Sequence, residues 1–132
     1  MAVQESEERS PFRNVAANAV TFTIGAEADN ARAVAVQVQY GAADVAAPVG
    51  LMAYLSDSAD GGDVAGTAPS GGVAAGTDGV LIPVVAGKAF YLISEADGDI
   101  DITITETGTD TWYLVIVLPN GRLVVSEAIS FA

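Results

Sequence analysis

The sequence contains no cysteine and no histidine, and it has only five basic residues against seventeen acidic ones. Each shortage removes a class of chemistry. Without these two residue types there is no disulfide, no Ser-His-Asp or Cys-His catalytic arrangement, no imidazole-held haem and no ordinary zinc centre. The cations, Arg9, Arg13, Arg32, Lys88 and Arg122, are scattered along the chain. Nucleic-acid binding draws on clustered Lys and Arg that displace phosphate counterions, so a net charge of −12 predicts no nucleic-acid partner. The same excess of acid disfavours anionic membranes. No apolar run approaches the ~20 residues of a membrane-spanning helix; the longest, 112–118, has the length of a strand. The opening residues lack the basic-then-apolar order of a secretory signal, which predicts a protein of the cytoplasm or of a particle assembled there.

What is present points to β structure. A length of 132 residues suits one domain, large enough to bury a real core. Apolar residues are nowhere sustained at helical spacing, whereas alternation of period two is frequent. Val20, Phe22 and Ile24 alternate with Thr21 and Thr23. Val34, Val36 and Val38 alternate with Ala35, Gln37 and Gln39, and Ile100, Ile102 and Ile104 alternate with Asp101, Thr103 and Thr105. Each predicts a strand with one face in the core and one in water. The segments 51–55, 80–85, 90–93 and 112–118 are apolar at both parities, and 112–118 is expected to be a central strand. With 123–125 and 128–131 they make about eight short strands. The expected fold is all-β, an antiparallel β-sandwich of immunoglobulin-like or jelly-roll-like type.

Turn residues agree. Pro119-Asn120-Gly121 predicts a three-residue hairpin with a bulge, and Asp97-Gly98 and Ala86-Gly87 mark two further turns. Pro83 within 80–85 predicts an edge strand or a bulge. Two stretches are not expected to form strands. Residues 1–14 are polar and of mixed charge, as in a flexible or adhering arm ahead of a domain over 15–132. Residues 56–78, rich in Gly, Ala, Ser and Asp, predict a long loop that is functional or mobile.

Three groups of residues could carry chemistry. Carboxylates at alternate positions from Glu95 through Asp97 and Asp99 to Asp101, and the spaced Asp57, Asp60 and Asp63, could converge on calcium. Counted from Asp97, however, Ile102 and Gly108 stand where a calcium loop of helix–loop–helix type needs Gly and Glu. The acidic run from Glu95 therefore predicts a solvated hairpin turn. A hydrolytic pair of carboxylates needs a cleft and one raised pKa, which turn and outward strand positions do not suggest. Lys88 is expected to be a turn cation. No nucleophile–base pair is visible, and the expectation is no enzyme, no cofactor and no metal. Finally, Trp112, Tyr113, Tyr91, Tyr54 and Tyr40 could form a stacking platform, but their strand positions favour packing in the core.

Residues 76–132, GTDGVLIPVVAGKAFYLISEADGDIDITITETGTDTWYLVIVLPNGRLVVSEAISFA, together with VTFTIGAEADNARAVAVQVQ over 20–39, resemble a family of small acidic proteins of tailed-bacteriophage structural gene regions. These proteins are of the head-decoration (cement) type. The resemblance implies a non-enzymatic virion protein on the outer surface of the capsid, with the major capsid protein as partner and no active site to carry over. Another expectation is an interaction or adhesion module of a tail, fibre or bacterial surface, with or without the assistance of calcium. Strands apolar on both faces exceed what one internal core covers, which predicts self-association. The decoration role makes that a homotrimer. The expected interface residues are Arg9, Phe12 and Arg13 on the arm, and Tyr54, Tyr91 and Tyr113 on the strands.

Overall fold

The structure, a computed structural model, describes residues 17–132. The segment expected to be an arm, with Arg9, Phe12 and Arg13, lies outside the described residues. Eleven strands follow one another without a helix among the described residues. They are β1 (Ala19–Ile24), β2 (Ala31–Tyr40), β3 (Ala43–Asp44), β4 (Gly50–Ser56), β5 (Gly72–Ala75) and β6 (Val80–Val85). The chain continues through β7 (Ala89–Ile93), β8 (Asp99–Thr105), β9 (Thr111–Val117), β10 (Leu123–Val125) and β11 (Ile129–Ser130). Two antiparallel sheets result. One has the order β1-β2-β8-β5, with β3 beside β2; the other has the order β10-β9-β4-β7-β6, with β11 beside β9. The expected all-β sandwich is the fold.

Alternation explains which residues fill the space between the sheets. In β8 the three isoleucines are buried, while Asp99, Asp101, Thr103 and Thr105 are only half-buried. From the other sheet Leu51, Ala53 and Leu55 of β4, Phe90 and Leu92 of β7, and Trp112, Leu114 and Ile116 of β9 enter the same core. Trp112 closes one end: its ring meets Phe131 edge-on at 6.0 Å, and its indole N–H donates to the Thr67 carbonyl at 3.0 Å. Arg32 caps Phe131 from outside, its guanidinium 6.0 Å from the ring centre.

The turns follow their residues. Gly121 takes a φ of 86° and its N–H donates to Leu118 O, while Leu118 N–H donates to Arg122 O, closing the three-residue hairpin. Strand β6 is an edge, and its register slips between Pro83 and Val85, so both consequences expected of Pro83 occur together. Two expectations need correction. Within 56–78, residues Gly72–Ala75 form β5 and extend the first sheet beside β8. An edge strand of small residues needs only backbone pairing, so it shows no side-chain pattern. The run from Glu95 to Asp101 is not a hairpin turn, because it carries the chain from one sheet to the other and Asp99 and Asp101 belong to β8.

Candidate interaction surface

The second sheet is apolar on its outer side as well as its inner one. Register fixes the arrangement: Ile82 of β6 faces Tyr91 of β7, Tyr91 faces Met52 of β4, Met52 faces Val117 of β9, and Val117 faces Leu123 of β10. These five side chains form one row across the whole sheet. Ile82 is 48% exposed, Leu123 44%, Met52 40% and Tyr91 38%. No charged residue occurs in any of the six strands of this sheet. Beneath Tyr91 lies Gly50, where a Cβ would collide with the Tyr91 hydroxyl and ring. Glycine there lets the ring lie down on the sheet, flattening the row.

A second outer row, running from Val85 through Ala89, Tyr54 and Val115 to Val125, is covered at its centre. The segment after β4 folds back so that Gly61 sits against methyl groups of Val115 and Val125. The Tyr54 hydroxyl donates to Gly61 O at 2.6 Å, and Val115 is fully buried although it points away from the core. Partial burial, then the nearby Asp63 and Asp60 carboxylates, raise the Tyr54 pKa and keep the phenol a donor. Asp63 itself is lowered, chiefly because the Ser56 hydroxyl donates to it at 2.7 Å. The long segment 56–78 is thus stitched down at several points. Glu106 holds another, accepting from Ser70 N–H at 2.8 Å and Gly108 N–H at 2.6 Å, and these bonds lower its pKa.

The outer side of the first sheet is of the opposite character. Thr21 faces Gln37, which faces Asp99; Thr23 faces Ala35, which faces Asp101. These residues and Asp78 line a shallow open cup of about 300 Å³. Desolvation, then the Asp97 and Asp78 charges, raise the Asp99 pKa. Among the described residues no three carboxylates are placed to hold one metal ion.

Of the expected interface residues, Tyr54, Tyr91 and Tyr113 all lie on the outer side of the second sheet, at alternating positions with its core residues. Only Tyr91 is widely exposed; Tyr54 is capped by Gly61 and Tyr113 is half-buried. Core packing holds for Trp112 alone among the five aromatics, since Tyr40 is 43% exposed at the end of β2. A strand apolar at both parities sends half of its large residues away from the core, and that sets the tyrosines outside. Met52, Ile82 and Leu123 were missed as surface residues, although their parity, opposite to that of the core set, marks them. Lys88 is the expected turn cation, donating to Gly66 O at 3.0 Å. The chain matches no protein-family model and no curated protein.

Proposed function

We propose that this chain is a non-enzymatic structural protein of a bacteriophage particle, decorating and stabilising the outer surface of the capsid. The observation that carries this reading is the division of its surface into an acidic, hydrated side and an apolar side whose strands carry no charge. A module with that division has one side suited to solvent and another suited to protein contact. The net charge of −12 disfavours contact with packaged DNA and favours the outside of a shell. The resemblance of 20–39 and 76–132 to phage decoration proteins supplies the particle and its major capsid protein as partner. Attachment falls to residues 1–14, where Arg9 and Arg13 flank Pro11 and Phe12, a basic and aromatic stretch ahead of an acidic body.

The test is addition of the full chain, and of a chain lacking residues 1–14, to purified undecorated particles. The full chain should co-sediment at a fixed copy number per shell, and the shortened chain, equally folded by circular dichroism, should not. Sedimentation without the particle, or binding that never saturates, would remove the decoration role.

A further inference from the structure

We infer that the exposed row on the second sheet is a self-association face, and that its occupant is the same face of a second copy, related by a two-fold axis. Three features of the face carry this. The first is its area. The row from Ile82 to Leu123, with Val80 and Val85 beside it on the edge strand, is 38–50% exposed where its side chains are open to solvent. That leaves roughly 500–600 Å² of apolar surface, at the upper end for a lone monomer. Two such faces together bury roughly 1,000–1,200 Å², the threshold of a specific interface. The second is charge. No strand of this sheet bears a charge, and the acids on this side, Asp60 and Asp63, stand by Tyr54 in the second, covered row, so two copies meeting on the exposed row bury no charge of that row. The carboxylates of Asp99 and Asp101 lie on the opposite sheet. Sheets stack about 10 Å apart, so pairing on this face holds the two acidic sides roughly 30 Å from each other, several screening lengths in physiological salt.

The third feature is shape. The row crosses the centre of the sheet and is flattened where Tyr91 lies over Gly50. One flat, central patch complements itself only through a two-fold rotation, whereas a three-fold ring needs two different patches. The geometry therefore favours a dimer over the trimer that the decoration role implied. Met52, the middle of the row, lies nearest its own copy. The pairing does not depend on where the protein is mounted, so it is tested without particles.

Sedimentation velocity at about 100 µM should show a dimer of the full chain, with Met52→Glu and Tyr91→Glu weakening it at least about tenfold. Thr103→Glu, on the outer side of the first sheet, should leave it unchanged, and circular dichroism should show all three variants folded. Because the chain has no cysteine, Met52→Cys places a single thiol at the axis. Mild oxidation should convert that variant to a covalent dimer, while Thr103→Cys stays unlinked. A monomer at that concentration, a trimer, or a dimer that survives both glutamates would overturn the inference.

Discussion

The two sheets share one core yet turn opposite surfaces to their surroundings. Strand β8 writes Ile at every inward position and Asp or Thr at every outward one. Strand β9 writes Trp, Leu and Ile inward, and after an outward Thr at its start it writes Tyr, Val and Val outward. An antiparallel sheet tolerates water on one side, and the first sheet uses that freedom. The second is built as if both of its sides were to be covered. Part of that cover is internal, since the segment around Gly61 lies over Val115 and Val125. The rest is open in the single chain, and it is the face that the proposed dimer would cover. Apolar pattern on a strand therefore does not by itself mean burial in the core, because a single sandwich covers only one face of this sheet and part of the other.

The core should answer equally from both sides. Ile102→Ala in the first sheet and Leu114→Ala in the second remove fully buried side chains and should each cost about 2–5 kcal/mol in denaturant unfolding. A several-fold smaller loss for either would mean that the sheets do not share one core.

The internal cover can be lifted separately. Gly61 has a φ of 72°, and its added Cβ would come within 3.1 Å of methyl groups on Val115 and Val125. Gly61→Ala should therefore cost about 1–2 kcal/mol, from backbone strain and displaced packing. Gly121→Ala, at a φ of 86° with open space around it, carries the backbone part alone and should cost less. Equal losses would show that the segment is not pressed against the sheet.

The smallest effects come from the carboxylates, and their signs differ. Asp63 and Glu106 are lowered by the hydrogen bonds they accept, so their stabilisation is complete above the ordinary carboxylate range near pH 4 and fades as pH falls below it. Asp99 is raised by desolvation and by Asp97 and Asp78, so its ionised form opposes folding above that range and protonation relieves it. Glu106→Gln should lower the melting temperature at pH 7 and lose its effect in acid. Asp99→Asn should raise stability at pH 7, within the ~0.5 kcal/mol usual for surface changes, and do nothing in acid. An Asp99→Asn protein less stable at neutral pH would assign that carboxylate a favourable partner.

Local chemistry alone determined most of the architecture. Period-two alternation located β1, β2 and β8, and doubly apolar runs located β4, β6, β7 and β9, because side chains on a strand must alternate between faces. Gly121 and Pro83 placed a hairpin and an edge through backbone geometry that no neighbour has to supply. Other features lie beyond local pattern. Strand β5 exists because β8 offers it an open edge, and Gly-Val-Ala-Ala has no periodicity of its own to announce it. Which tyrosines face outward was legible only as a parity. That Tyr91 stays open while Tyr54 is capped depends on a segment returning from elsewhere in the chain. The row from Ile82 to Leu123 is likewise the product of four strand pairings between residues as much as 65 positions apart. Alternation assigns each side chain to a face of its own strand; only tertiary pairing decides which side chains share that face and what lies above them.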